Sequence, residues 1–268
     1  MISAVFHYLG PSFAVLLFAH MGVLGVAWLR IASAAAIFAI WRRPWRVVIR
    51  GDRRTRVLIV ALGGTLALMN CAFYLAIDRM PLASVASIEF VAAIVVALVG
   101  ARTARNIAAL AIAVIGVFLL IGFQWSGDRL GILLALINAG LFGAYIMLGH
   151  STARAGSASG IDRLGAAMLV ALIVAMPIGI GEVVPVLCAP TLLLAGVGVG
   201  VSSSVIPYIC DQLAMARLPR ATFALMLTLL PATAAIVGMA VLSQFPTWIE
   251  AIGIVMVAVG VGVHKPAA

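Results

Sequence analysis

Charged side chains are scarce in this sequence of 268 residues, where Asp, Glu, Lys and Arg together make up only 9%. Acidic residues are the rarest of them, with eight against seventeen basic residues. A soluble globular domain carries about 25% charged residues and about 45–50% apolar residues. The hydrophobic share here is 65%, which leaves too few polar groups to cover a surface exposed to water. These proportions exclude a soluble fold and predict a protein that lies in a lipid bilayer.

Cysteine is also rare, and its three positions, Cys71, Cys188 and Cys210, have no spacing typical of a metal site or a disulfide framework. We interpret the three as small packing residues. Phosphate-binding glycine motifs, zinc-protease motifs and a nucleophile with a partner histidine are missing from the sequence as well. We therefore expect no enzymatic activity, no catalytic residue, no cofactor and no metal site.

Long apolar stretches separated by short polar breaks are what the sequence has in abundance. A membrane-spanning helix takes about 20 residues, so about ten of them use most of the chain and leave only short connections. The apolar windows predict spans at residues 3–18, 22–41, 57–77, 82–100, 107–123, 130–149, 164–180, 191–214, 221–242 and 248–264. We predict an all-α integral membrane protein with ten transmembrane helices and no soluble catalytic domain.

The basic residues indicate the orientation, because cytoplasmic loops of membrane proteins are enriched in Lys and Arg. Fourteen of the seventeen fall on one side of the predicted membrane, and seven of these are arginines within residues 42–56. Only Arg79 and Arg129 fall on the other side, and Arg30 lies within a span. Both termini and the arginine-rich loop are therefore predicted to be cytoplasmic. This rule explains the net charge of +9 without a nucleic-acid partner, and the loop could also hold anionic headgroups of membrane lipid.

A short internal repeat indicates how the spans are grouped. Residues 75–84 resemble residues 213–222, and both segments contain the pattern Arg-x-Pro-x-Ala. The first copy falls in an outer loop and the second in a cytoplasmic loop, so the two copies have opposite orientations. Many secondary transporters consist of two oppositely oriented halves with the binding site between them. We predict a first five-helix repeat at residues 1–125, shortened at its N-terminus, and a second at residues 126–268.

Several stretches of the sequence also carry a family resemblance. They are residues 69–77, 81, 88–90, 142–145, 206–208 and 217–223. Together they are similar to the EamA-type family of the drug/metabolite transporter superfamily, specifically its threonine/homoserine exporter branch, over nearly the whole chain. The resemblance implies a fold of ten helices in two inverted repeats. It also implies export of small metabolites, amino acids such as threonine or homoserine among them, across the bacterial cytoplasmic membrane.

The chain departs from this branch in and after its ninth span. Exporters of the branch usually carry an acidic residue before the proline of that span, whereas Leu230 precedes Pro231 here. A later Gly-Glu pair of the branch is replaced by Ser243 and Gln244. These departures and the short first span favour an alternative function, a transport-inactive membrane scaffold or sensor that retains the transporter fold. A membrane enzyme acting on lipid is a further alternative, which the missing catalytic residues disfavour.

Polar and ionisable side chains inside the spans are the candidates for a binding site, because their burial in a membrane costs free energy. Four of them lie about 10–12 Å below the outer ends of their helices, given a rise of 1.5 Å per residue. This common depth predicts a shared polar cavity just outside the midplane. Two tyrosines share helix faces with members of this group. The predicted substrate-binding residues are Arg30, Asn70, Tyr74, Glu89, Asn138 and Tyr145.

Glu89 and Arg30 carry the charges of this predicted site. The Glu89 carboxylate could bind the ammonium group of a substrate, or it could take up a proton as the coupling ion, since burial favours the neutral acid. Arg30 suits a substrate carboxylate because its guanidinium binds carboxylates through two hydrogen bonds. The alternative is a structural ion pair between the two residues. A pair that opens for a zwitterionic amino acid combines both interpretations.

The remaining polar residues leave two interpretations open. Asn and Tyr side chains of the predicted site could hydrogen-bond a ligand or tie two helices together, at about 0.6 kcal/mol per bond. Ser204, Tyr208 and Asp211 form another polar stripe, in which Asp211 lies near the cytoplasmic end of its span. We expect Asp211 to be a residue of the membrane interface. The four histidines lie mostly at span ends and are also expected at interfaces.

Overall fold

The fold is that of a computed structural model, which describes residues 2–98, 103–123, 128–154, 156–184, 188–218, 223, 227 and 229–263. These residues form helices joined by short turns, and no β-strand occurs among them. The helices are α1 (Ile2–Leu17), α2 (Val23–Arg42), α3 (Trp45–Arg50), α4 (Arg53–Ile77), α5 (Leu82–Leu98), α6 (Ala104–Phe123), α7 (Arg129–Ala153), α8 (Ser157–Val183), α9 (Pro190–Arg217), α10 (Leu229–Leu242) and α11 (Trp248–Val263).

Five of these helices, α2, α4, α7, α8 and α9, are long and apolar enough to cross a membrane. The hydrocarbon core of a bilayer is about 30 Å thick and takes about 20 helical residues. The helices α1, α5, α6, α10 and α11 contain shorter apolar segments of 10–17 residues. The prediction of an all-α, multi-pass membrane protein is thereby confirmed. Most of residues 221–228, the first part of the predicted ninth span, lies outside the described residues.

The short helix α3 lies in the arginine-rich segment, for which the sequence predicted only a loop. Its Val48 packs against the core, whereas Ile49 is 69% exposed, so the helix lies on the surface of the bundle. The Arg56 guanidinium donates hydrogen bonds to the carbonyls of Val48 and Ile49 at 2.9 and 3.1 Å. These bonds satisfy carbonyls that the end of the helix leaves without donors. The predicted loop is therefore partly helical because its own arginine caps it.

An ion pair joins the turn after α4 to the start of α7. Arg79 Nη1 lies 2.7 Å from Asp128 Oδ2, and Asp128 also accepts hydrogen bonds from the N–H groups of Leu130 and Gly131 at 3.0 and 3.2 Å. The Arg79 guanidinium therefore holds the pKa of Asp128 below its usual value. The carboxylate therefore stays charged until the pH falls to this lowered pKa, and only then is its capping of α7 weakened.

The main helix contacts follow a regular pattern. Helix α2 packs on α8, α6 on α11, and α5 on α10. Helix α4 packs on α7 and α8, and α9 packs on α1 and α2. Four completely or almost completely buried tyrosines lie in the core between these helices: Tyr8, Tyr74, Tyr145 and Tyr208. The polar residues considered below therefore lie at the centre of the bundle.

Helix α9 changes its geometry at its middle, where Val201–Val205 form a π-helical segment. In a regular α-helix the carbonyl of Ser203 would accept a hydrogen bond from the N–H of residue 207, but Pro207 has no N–H. The Ser203 carbonyl instead accepts a hydrogen bond from Arg30 Nη2 at 2.6 Å. A single proline thus frees the backbone oxygen that binds a buried guanidinium.

Two glycines allow α1 and α2 to approach this segment closely. A Cβ atom on Gly10 would lie 2.7 Å from the backbone nitrogen of Ser203. A Cβ atom on Gly200 would lie 3.0 Å from the carbonyl oxygen of Arg30 and 3.0 Å from Cβ of Ser33. Backbone atoms of neighbouring helices cannot move aside as the end of a flexible side chain can. The contact of α1 with α9 therefore depends on glycine at position 10.

We predict that Gly10→Leu separates α1 from α9 and lowers the melting temperature of the purified protein in detergent. Overpacking of this kind costs about 1–3 kcal/mol. Gly140→Leu is the matched control, because a Cβ atom on Gly140 would meet nothing within 4 Å. Thermal unfolding followed by tryptophan fluorescence compares the two variants. Equal melting temperatures of both variants would contradict the close contact.

Candidate functional site

A small polar cavity lies where α1, α2, α4, α5, α7 and α9 meet. Its volume is about 10 Å³ for the centre of a water-sized sphere, which is room for about one water molecule. The residues that line it are His7, Arg30, Met69, Asn70, Phe73, Glu89, Asn138 and Tyr208. The four residues predicted from their common depth are all among them. The remaining two predicted residues, Tyr74 and Tyr145, lie outside the lining.

Arg30 is 3% exposed, and the groups of α9 and α4 that contact its guanidinium are all neutral. Its Nε donates to Ser204 Oγ at 2.7 Å, and Nη2 donates to the Ser203 carbonyl at 2.6 Å and to Tyr208 Oη at 3.4 Å. The guanidinium carbon also lies 5.3 Å from the centre of the Tyr74 ring. Cation–π contacts of this kind stabilise a desolvated cation. The positive charge is therefore accommodated without a carboxylate in direct contact.

Glu89 on α5 is equally buried, with 3% exposure. The Tyr8 hydroxyl donates a hydrogen bond to Glu89 Oε2 at 3.3 Å. Asn138 lies beside the carboxylate, but neither atom of its amide makes a hydrogen bond of acceptable geometry. Among the described residues, no Glu89 oxygen lies within 4.0 Å of an Arg30 nitrogen. The structural ion pair considered from the sequence is therefore not formed, because the Ser203 carbonyl and the serine hydroxyl bind the guanidinium instead.

Asn70 and Tyr74, one turn apart on α4, have different roles in this arrangement. Asn70 Nδ2 donates to the carbonyl of Leu66 at 2.6 Å and lies 3.4 Å from the Tyr208 hydroxyl. Tyr74 is completely buried, and its hydroxyl makes no hydrogen bond of good geometry. Its ring faces the guanidinium of Arg30. Asn70 thus reaches the cavity itself, whereas Tyr74 supports Arg30 from outside the lining.

Tyr145 belongs to a second buried cluster, which adjoins the cavity. Its hydroxyl donates to Asp211 Oδ2 at 3.1 Å, and Ser3 Oγ donates to Asp211 Oδ1 at 2.5 Å. The ring of Tyr145 lies 5.5 Å from that of Tyr208, which lines the cavity. Asp211 is 3% exposed, so the expectation that it is an interface residue is wrong. Side chains from α1 and α7 cover the carboxylate and provide its hydrogen bonds.

Helix α1 contributes residues that the sequence analysis did not select. His7 was expected at an interface, but it is 7% exposed, lines the cavity and contacts the Tyr208 ring at 6.2 Å between centroids. Tyr8 holds Glu89, as described above. The sequence did contain a signal for these residues. His7 and Tyr8 are adjacent polar rings inside an apolar span, one turn before Pro11. In the part of the chain that is described, no group of three His, Cys, Asp or Glu side chains is placed to hold a metal ion.

The positions that depart from the exporter branch have structural explanations. Leu230 is 2% exposed and belongs to the apolar core. Gln244 Oε1 accepts a hydrogen bond from the backbone N–H of Leu82 at 3.0 Å, and so joins the loop after α10 to the start of α5. Ser243 adopts a positive φ of 54° at the end of α10. None of these residues lines the cavity around Glu89.

Comparison with known proteins gives one consistent family. Residues 129–263 match the EamA-like transporter family. The threonine/homoserine exporter RhtA of Salmonella typhimurium strain LT2 is 33% identical over 246 residues, which cover 90% of this chain and 81% of the exporter. The threonine/homoserine exporter RhtA of Escherichia coli strain K12 is 32% identical over 256 residues, which cover 93% and 84%.

A solved crystal structure superimposes with a TM-score of 0.62 over 98% of this chain and 94% of its own length, at 18% sequence identity. At that identity the superposition shows a shared fold and no more. The family match and the two exporters, each above 30% identity over most of both chains, agree with the resemblance found in the sequence. The chain therefore belongs to the EamA-like transporter family.

Proposed function

We propose that this protein is a secondary transporter that exports small metabolites across the bacterial cytoplasmic membrane. Amino acids such as threonine and homoserine are the proposed substrates, following the named function of the relatives. One observation carries the proposal: Arg30 and Glu89 are buried around the same cavity and are not paired with each other. An amino acid in its zwitterionic form offers a carboxylate to the first residue and an ammonium group to the second.

The size of the cavity supports alternating access as the mechanism. The present volume holds about one water molecule, so an amino acid requires the surrounding helices to separate. We propose that one half of the protein rocks against the other, which opens the cavity to one side of the membrane at a time. In this proposal the structure corresponds to the closed intermediate between the two open states.

The contact pattern supports two halves related as repeats, at residues 1–125 and 126–268. Counting the ten apolar helices without α3, each helix has a counterpart five places further along. The packing of α4 on α7 then corresponds to that of α9 on α1, and α5 on α7 corresponds to α10 on α1. The packing of α4 on α8 corresponds in the same way to that of α9 on α2. The loop charges in the sequence support opposite orientation of the two halves.

The proposed orientation predicts which positions a membrane-impermeant thiol reagent reaches in intact cells. Single cysteines are introduced by Arg50→Cys and Arg129→Cys in a chain without its three native cysteines. Because α3 is proposed to face the cytoplasm, the cysteine at position 50 should react only after the membrane is permeabilised. The cysteine at position 129 should react in intact cells. Labelling in the reverse order would contradict the orientation.

We predict that Glu89→Gln raises the Km for export of threonine or homoserine from proteoliposomes by at least about tenfold. A hydrogen bond to a charged group contributes about 1.5–3 kcal/mol, and the amide lacks the charge that attracts an ammonium group. Glu182→Gln is the matched control, since Glu182 lies outside the cavity and its remaining oxygen can still accept the N–H of Gly25. An unchanged Km in Glu89→Gln would remove this residue from the proposed site.

The same vesicles separate the two proposed roles of Glu89. If Glu89 carries the coupling proton, Glu89→Gln abolishes the acceleration of export by an imposed pH gradient but retains exchange of substrate between the two sides. If Glu89 binds only the substrate ammonium group, exchange and gradient-driven export decrease together.

A transport-inactive scaffold or sensor is the second candidate function, and the buried Leu230 favours it. An apolar residue here cannot carry a proton or bind a cation, in contrast to the acidic residue that is usual in the exporter branch. Flux of a panel of labelled amino acids into proteoliposomes distinguishes the two functions. A scaffold gives no flux for any member of the panel, whereas the proposed exporter transports at least one.

A further inference from the structure

A groove with three arginines lies at one end of the bundle, between α4, α7 and α8. Its volume is about 560 Å³, far larger than that of the central cavity. Arg54 at the start of α4, Arg154 directly after α7 and Arg163 on α8 line it together with the hydroxyl-bearing Thr55 and Ser151. All three arginines thus approach one space from three helices. The groove lies next to α3, at the end of the bundle where arginines are most frequent.

Among the described residues, no carboxylate forms an ion pair with any of the three arginines of this groove. The ion pair at this end of the bundle involves Arg42, and Asp52 interacts electrostatically with Arg163 without forming an ion pair with it. Asp162 binds Arg42 at 2.7 Å, and Asp52 accepts the backbone N–H of Thr55 at 3.0 Å. Arg163 Nε is buried and has no hydrogen-bond partner. A buried donor without an acceptor costs free energy. We therefore expect a ligand bound in the membrane to supply the acceptor, and the arginines favour an anionic one.

The deeper part of the groove is apolar. Val57, Ala61 and Leu148 line it together with Leu58, one to two helical turns further into the bundle than the arginines. With a rise of 1.5 Å per residue, Ala61 lies about 10 Å further along α4 than Arg54. Val57 is 61% exposed, which leaves an apolar surface next to the charged end. A ligand that fills the groove therefore has an anionic head and an apolar tail.

We propose that this groove binds an anionic phospholipid. The arginines and the two hydroxyl groups hold its phosphate, and an acyl chain lies along the apolar part. Arginine is suited to phosphate because its planar donors match two phosphate oxygens. A free phosphate ion has the same headgroup chemistry but leaves the apolar part of the groove unused. Basic pockets between helices at the membrane surface are typical sites for such headgroups.

The position of the groove connects the bound lipid to transport. Arg54 belongs to the first half of the chain, whereas Arg154 and Arg163 belong to the second half. A phosphate held by all three therefore joins the two halves. This consequence rests on the proposed function, but binding of the lipid does not, and the two are tested separately.

The experiment measures binding of phosphatidylglycerol to the purified, delipidated full-length protein by native mass spectrometry, with phosphatidylcholine as the neutral lipid. We expect preferential binding of phosphatidylglycerol. The groove variant combines three substitutions and should bind it about 10- to 100-fold more weakly: Arg54→Gln, Arg154→Gln and Arg163→Gln. A matched variant with the same loss of charge on neighbouring exposed residues should bind as the unaltered protein does: Arg43→Gln, Arg46→Gln and Arg50→Gln.

Two further arms identify the source of the phosphate and guard against misfolding. Ala61→Trp fills the apolar part and leaves every charge in place, so it should weaken lipid binding at least about threefold. Inorganic phosphate and glycerol 3-phosphate, which lack acyl chains, should not displace the lipid. Displacement by either would replace the lipid with a soluble phosphate compound as the ligand. Equal losses in the two arginine variants, or unchanged binding in both the groove variant and Ala61→Trp, would overturn the proposal.

Discussion

The hydrogen bond from Arg30 to the Ser203 carbonyl is the interaction on which the arrangement of the site depends. Pro207 has no N–H to offer this carbonyl, and α9 adopts a π-helical turn at the same place. Gly200 and Gly10 let α2 and α1 come close enough to the segment for the contact to form. The proline, the glycines and the arginine lie on three helices, which meet at this carbonyl.

This interaction also explains how Arg30 and Glu89 remain unpaired in one buried space. A charged arginine at the centre of a membrane helix costs about 2.5–3.5 kcal/mol. Here a backbone carbonyl, a hydroxyl group and two aromatic rings compensate the guanidinium, and the hydroxyl of Tyr8 binds Glu89. Neither residue depends on the other for its hydrogen bonds. In the proposed mechanism, both residues are available to a zwitterionic ligand when the helices separate.

The sequence predicted part of this site through one physical quantity, the depth of polar residues in their spans. Because helices have a fixed rise, Arg30, Asn70, Glu89 and Asn138 could be placed at one level before any packing was known. The face that each helix presents to its neighbours could not be predicted in this way. Spacing along α7 placed Tyr145 with Asn138, whereas packing against α9 directs it to Asp211.

The remaining differences have similar causes. His7 and Tyr8 lie in a helix whose polar residues could equally have faced the headgroups. Only the contacts of α1 with α5 and α9 show that these two side chains face the core. Part of the charged segment predicted as a loop forms α3, because Arg56 caps the end of that helix. The helical class and most helix positions followed from apolar windows, since hydrophobicity along the chain does not depend on tertiary contacts. Side-chain partners do depend on them.

The central claim is that separate charges on Arg30 and Glu89 bind the two charged groups of an amino acid. Equilibrium binding of threonine to the purified protein tests it directly when compared with threoninamide and N-acetylthreonine. The first analogue lacks the carboxylate that Arg30 is proposed to bind, and the second lacks the ammonium group proposed for Glu89. The account predicts that each analogue binds at least about tenfold more weakly than threonine. Binding of either analogue with the affinity of threonine would contradict it.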